Sequence, residues 1–162
     1  MDHSMRKCMR PLQGLGFDDG TVPQETVMEM EIRPQNARPT KTGSPEWFTG
    51  EVTLEPLFEP HPPARAAGVM VRFATRARTA WHTHPLGQTL IVTRGRGRVQ
   101  VWGEPIREVG VGDVIWFPPG VKHWHGAGPE EEFSHLAVHE ALDGRTADWL
   151  EPVSDAEYEA SR

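Results

Sequence analysis

Glycine and proline punctuate this chain so often that long helices have no room to form. There are 16 Gly and 15 Pro in 162 residues. From Gly68 onward turn residues recur about every eight to twelve positions, the spacing of short strands in a sandwich or small barrel. Val69, Val71 and Phe73 alternate with Met70 and Arg72, and apolar runs follow at residues 90–93, 99–102, 114–117 and 133–139. Upstream, residues 47–58 read as one strand-rich stretch, closed by Pro60, Pro62 and Pro63. Arg94-Gly95-Arg96-Gly97 reads as a tight hairpin reversal. The one helical signal comes at the end, where Ser154 followed by Glu157 has the form of a capping box. The expected class is all-β with a short C-terminal helix.

Length places the chain in the one-domain range. Residues 1–45 read as a poorly ordered N-terminal extension and its lead-in, and 46–162 as the single domain. Residues 1–27 show no periodicity, and Met28 and Met30 offer later starts. The lone Cys8 permits no intrachain disulfide. No run of about 20 apolar residues is present to span a bilayer, and no apolar h-region marks a secretory signal. A cytoplasmic location is expected, without membrane. The net charge of −6, from 17 basic and 23 acidic residues, comes without a basic cluster among aromatics, so nucleic acid is not an expected partner. The acidity is mostly C-terminal: residues 129–162 carry ten acidic and two basic side chains, whereas 51–128 carry six acidic and nine basic. An anionic small substrate is therefore not repelled from the middle of the chain.

Six of the 8 histidines fall on three short segments. His82 and His84 stand two apart, and on a strand such residues share a face. Gln88 continues that phase if the Pro85-Leu86-Gly87 bend is absorbed, placing three ligand-capable groups on one side of one hairpin. His123 and His125 repeat the pattern, and His135, Ala137 and His139 share a phase. A single inward histidine is ordinarily a hydrogen-bonded core residue. Six imidazoles with no common task would repeat the desolvation cost, whereas a divalent metal in a polar pocket accounts for them together. Trp81 and Trp124 fall in the opposite phase and, with the other tryptophans, read as core and interface fillers. The run from Arg94 to Arg98 reads as a solvated turn, and Glu130-Glu131-Glu132 as an exposed loop.

His82-x-His84-x3-Gln88-x6-Gly95 resembles the first cupin motif, and Gly112-x5-Pro118-x-Gly120-x2-His123 the second. Three departures stand out: the glycine that usually opens the first motif is replaced around Arg76, Gln88 stands where most cupins have Glu, and Ala127 where many have Asn. Longer phrases resemble the small bacterial cupin hydroxynitrile lyases, which are manganese-dependent. They are Trp47-Phe48-Thr49-Gly50, the stretch 77–93, Lys122-His123-Trp124-His125-Gly126-Ala127, His135-Leu136-Ala137 and Leu142-Asp143-Gly144.

The resemblance implies a jelly-roll β-barrel over residues 46–160 around one metal. It carries over His82, His84, Gln88 and His123 as ligands and His135 as a polar active-site residue, with His125 nearby. His139 stands where relatives carry Gln, which leaves its role open. Manganese follows from the resemblance alone, since mixed nitrogen and oxygen ligation also suits Fe, Co, Ni or Zn. A homodimer or homotetramer is expected too, with strand 47–58 a candidate for pairing.

Three neutral imidazoles and a neutral amide leave a 2+ charge uncompensated, which favours an anionic exogenous ligand and suits cyanohydrin cleavage. His135 is the expected base, with its ordinary pKa near 6.5, and His125 or His139 orients or relays. Val69, Val71, Phe73 and Thr79 are the expected substrate pocket. Two other readings compete: a dioxygenase acting on an enol or enolate, and a small-molecule-binding protein without catalysis. Anaerobic assay separates the dioxygenase from the lyase.

Overall fold

The structure, a computed structural model, describes residues 30–160. The chain divides into units 1–32 and 33–162, and all elements named below lie in the second. Expectations on residues 1–27 fall outside the described residues.

After a 3-10 turn at Gln35–Ala37, 13 strands follow among the described residues. They are β1 (Lys41–Thr42), β2 (Phe48–Thr49), β3 (Val52–Phe58), β4 (Ala66–Phe73), β5 (Arg78–Thr79), β6 (His82–Thr83) and β7 (Gln88–Gly95). The remainder are β8 (Gly97–Val101), β9 (Arg107–Val109), β10 (Val114–Phe117), β11 (His123–Ala127), β12 (Phe133–Glu140) and β13 (Asp148–Trp149), before helix α1 (Asp155–Glu159). One sheet runs β1-β3-β4-β12-β7-β10, and the strand pairs named for it are antiparallel. In the other, β11 lies between β8 and the interrupted pair β5 and β6, with β9, β2 and β13 outside them. The all-β class and the short terminal helix are as the sequence predicts. Ser154 accepts from the Glu157 amide and Glu157 reaches back to Ser154, completing the capping box.

The apolar alternation builds one core between the sheets. Phe48, Val52, Val71, Phe73, Leu90, Val92, Phe117 and Phe133 are buried together. A second cluster, Trp81, Trp124, Val153 and Tyr158, lies on the back of β11. Trp81 and Trp124 come from the phase opposite the histidines, and α1 supplies Tyr158. The Tyr158 hydroxyl donates to the Ala127 carbonyl at 2.8 Å, and the Arg78 guanidinium lies 4.8 Å from its ring. Arg76, where the family motif opens with glycine, adopts φ 68°. Its guanidinium pairs with Glu159 and faces Tyr158, and its backbone takes a conformation side chains ordinarily avoid.

Three expectations need correction. Residues 94–97 are not a hairpin, because β7 pairs with β12 and β10 whereas β8 pairs with β11 and β9. The chain crosses between sheets there, and Gly95 is needed: it has φ +70°, and a Cβ would sit 1.9 Å from the Glu132 carbonyl. His82 and Gln88 likewise do not share a hairpin. At Gly87, φ +81°, the chain leaves one sheet for the other, so Gln88 meets the histidines from across the barrel. Finally, the stretch 47–58 breaks at Gly50 into β2 and β3, which join different sheets. The β3 edge at Thr53 and Leu54 is paired with β1, and β10 is the terminal strand at the opposite edge.

Candidate metal centre

Strands from both sheets aim imidazoles at one volume. β6 brings His82, β11 brings His123 and His125, and β12 brings His135 and His139 beside Gln88 of β7. His84 follows β6. Backbone carbonyls fix three of the rings: Nδ1 of His82 lies 3.0 Å from the Ala80 oxygen, His84 2.6 Å from Thr146, and His123 2.8 Å from Val121. In the neutral ring each Nδ1–H donates, so each Nε2 keeps a lone pair, the arrangement that orients histidine ligands. Burial above all lowers these groups: His84 to about 4, His123 to about 3, His82 well below its usual range. At neutral pH they are uncharged and available to a cation.

The donor atoms then pose a problem that a cation resolves. Gln88 Oε1 lies 3.3 Å from His123 Nε2. With the His123 proton on Nδ1, two lone pairs face one another across a separation typical of neighbouring ligands on one ion, about 3.0–3.4 Å for bonds near 2.1 Å. Nε2 of His84 and of His125 are buried without a hydrogen-bond partner, and such atoms are costly unless something binds them. Ligand atoms of His82, His123 and His125 lie within 4.8 Å of one another, so these three can hold a metal ion. The residues fit a divalent cation.

A cavity of about 230 Å³ opens beside them. His82, His84, Gln88, His125 and His139 supply its polar lining, and Val69, Val71, Leu54, Phe48, Trp47 and Trp149 its apolar lining. Trp47 and Trp149 stack in parallel at 5.3 Å, and Trp149 covers His82 at 4.7 Å. Behind His125 stands His135, fully buried, its Nε2 3.1 Å from His125 Nδ1. Desolvation is the main cause that lowers His135 to about 3 and His125 well below its usual range. The ordinary pKa near 6.5 expected for His135 is thus not what the structure shows.

Comparison with known proteins agrees with this architecture. Residues 69–139 match the Cupin domain family. An (R)-mandelonitrile lyase of Granulicella tundricola is 52% identical over 129 residues, covering 80% of this chain and 98% of that one. The chain is a cupin. Among solved structures, a cupin-like protein of Thermotoga maritima is 42% identical with a TM-score of 0.69, covering 72% of this chain and 89% of that one. A cupin 2 conserved barrel domain protein of Rhodopseudomonas palustris shares the fold at 21% identity and TM-score 0.60, covering 69% and 77%.

In this cupin the sequence-derived pocket residues separate. Val69, Val71 and Thr79 line the cavity, and the Thr79 hydroxyl accepts from the His125 amide at 3.2 Å. Phe73 does not line it. One step further along β4, it packs in the core against His125 and His135. Sequence reasoning missed Thr146 and the cavity role of Trp47 and Trp149, having read all the tryptophans as fillers. No periodic signal marks the chain's return to the cavity at Thr146 and Trp149, because β13 is two residues long.

Proposed function

We propose that this cupin is a metal-dependent lyase that cleaves and forms a cyanohydrin, with His82, His84, Gln88 and His123 holding the ion and manganese its expected identity. The observation that carries the reading is the all-neutral donor set beside a cavity lined by both imidazoles and apolar side chains. Similarity to a mandelonitrile lyase over most of the chain supports it. When bound, a divalent ion supplies Lewis acidity that lowers the pKa of a substrate hydroxyl and favours anions in the cavity.

The chain's own residues handle the proton and the orientation. His125 Nε2 faces the cavity without a partner, and its Nδ1 is engaged by His135. With His125 Nδ1–H donating to His135 Nε2, the unpartnered Nε2 takes the hydroxyl proton as the bond between the carbinol carbon and the nitrile carbon breaks. The bonding pair leaves with cyanide, an aldehyde remains, and the proton passes from Nε2 to cyanide. This reading gives the base role to His125 in place of His135, the base expected from the sequence; His135 acts through His125, orienting it and sharing its proton, and His139 lines the cavity next to His84. Trp47, Trp149, Val69 and Val71 take up the apolar part of the substrate and keep water from it.

Elemental analysis of the purified protein, with mandelonitrile turnover measured for wild type and His82→Ala, tests this reading. One bound divalent ion per chain and oxygen-independent release of benzaldehyde and cyanide are expected, both lost in His82→Ala. Background turnover in the metal-loaded wild type, or turnover that stops without oxygen, overturns the lyase reading.

A further inference from the structure

A second cavity lies behind the strands that carry the histidines. Trp81 stands next to His82, and Trp124 between His123 and His125, so on extended backbone both indoles point away from the metal centre. Trp102, which follows β8, meets Trp81 edge to face with ring centroids 5.0 Å apart. The two indoles form a corner. Beside it opens a cavity of about 280 Å³ that Trp81, Trp102, Glu104, Ile106 and Glu157 help to line. None of its residues lines the metal cavity. Its walls are held in place by the chain itself. Gln100 Nε2 donates to the Glu104 carbonyl at 2.7 Å, Gln100 Oε1 accepts from Trp124 Nε1 at 2.7 Å, and the Trp102 amide donates to the Lys122 carbonyl at 2.9 Å. Trp81 Nε1 donates to Glu157 Oε1 at 3.3 Å.

We propose that this cavity binds a compact alkylated ammonium ion, seated against Trp81 and Trp102 with Glu104 and Glu157 answering its charge. The lining contains those two carboxylates and no Lys, Arg or His. Among the described residues neither carboxylate belongs to an ion pair, whereas Asp155 and Glu159 of the same helix pair with Arg78 and Arg76. A neutral apolar ligand would strip water from these carboxylates without return, and an anion would be repelled. The same indoles already attract a cation. The Lys122 ammonium lies 3.4 Å from the Trp102 ring centroid and 5.3 Å from that of Trp81, within the reach of a cation–π contact. Glu151 answers the charge of Lys122, and Lys122 is not part of the lining, so the charge of the cavity stays unmatched. Alkylation follows from the acceptors. Glu157 already receives the Ser154 amide, the Ser154 hydroxyl and Trp81 Nε1, which leaves it a charge to offer but little capacity for further N–H donors. The volume lies near the lower end of small-molecule sites, about 300 Å³, so the cation is small. Because no residue is shared with the front cavity, this site stands whether or not that cavity cleaves cyanohydrins.

The test titrates choline into the full-length, metal-loaded protein at low ionic strength, where exposed charges are least screened, and follows the indole N–H signals of isotope-labelled tryptophan by nuclear magnetic resonance. Its neutral carbon analogue, dimethylbutanol, is titrated in parallel. Choline is expected to shift the Trp81 and Trp102 signals saturably in the millimolar range or below, and the analogue to bind about tenfold more weakly for want of the cation–π attraction. Two variants locate the site. Trp102→Leu, at a position 54% exposed, is expected to weaken choline binding about tenfold. Glu157→Gln keeps a side chain that serves the capping box while removing the charge, and is expected to weaken it about fivefold. Both variants should retain the wild-type far-ultraviolet circular dichroism spectrum. Absence of a saturable shift overturns the proposal, as does equal affinity for the neutral analogue, a comparison that needs no variant. A choline affinity that either substitution leaves unchanged overturns it too, since the cation then binds elsewhere.

Discussion

Gln88 and His123 approach to 3.3 Å, Oε1 to Nε2, from strands in different sheets. The amide keeps the donor set uncharged, which leaves a bound cation its full attraction for anions. Gln88→Glu places a carboxylate in the same position. It is expected to retain the metal at least as firmly while lowering cyanohydrin turnover about 10- to 100-fold, the usual scale for altered metal surroundings. Elemental analysis paired with steady-state rates checks both halves.

Gly95→Ala tests the crossover between sheets. The added Cβ meets the Glu132 carbonyl at 1.9 Å in a backbone with φ +70°, so both the steric and the conformational cost apply. A loss of about 2–4 kcal/mol is expected in urea denaturation. A loss below about 0.5 kcal/mol would show that the crossover relaxes freely.

These two positions also mark what was legible in the sequence. The pairs His123 and His125, and His135 and His139, were readable because a strand's two-residue period is local. The phase of Gln88 leads to this pocket through the wrong geometry, since a local period has no way to register the change of sheet at Gly87. Thr146 and Trp149 were beyond reach for a related reason. The Thr146 carbonyl meets His84 across 62 positions, and β13 is two residues long, too short to show a period. Phe73 shared the phase of Val69 and Val71, yet phase alone does not say how far along β4 the cavity ends.

Glu55 gives a dependence on pH. Hydrogen bonds from Arg72 first and Arg38 next hold its carboxyl below the usual 4.5. A carboxylate with a depressed folded-state pKa contributes stability that is fully present above the unfolded value and is lost as pH falls through the folded one. Wild type should therefore exceed Glu55→Gln in stability at pH 7, and the gap should narrow as pH falls below 4.5. Urea titrations of both proteins at pH 7, 5, 4 and 3 read the gap directly, and a constant gap would contradict the assigned role of the charge.

His84 and His125 both present a buried Nε2 without a hydrogen-bond partner, and their different supports predict different losses. The His84 ring is pinned by the Thr146 carbonyl, the carbonyl support common among metal ligands. His125 is engaged by another imidazole, that of His135, which suits a group that must gain and release a proton. His84→Ala should lower the metal content and turnover together. His125→Ala should keep the metal and lose turnover by about 10²- to 10⁴-fold, the range for a missing acid–base group. Because His125 can join His82 and His123 around one ion, the reverse outcome has a definite meaning. Loss of metal in His125→Ala with retention in His84→Ala would assign the ion to the His82, His123 and His125 set and leave His84 for the proton.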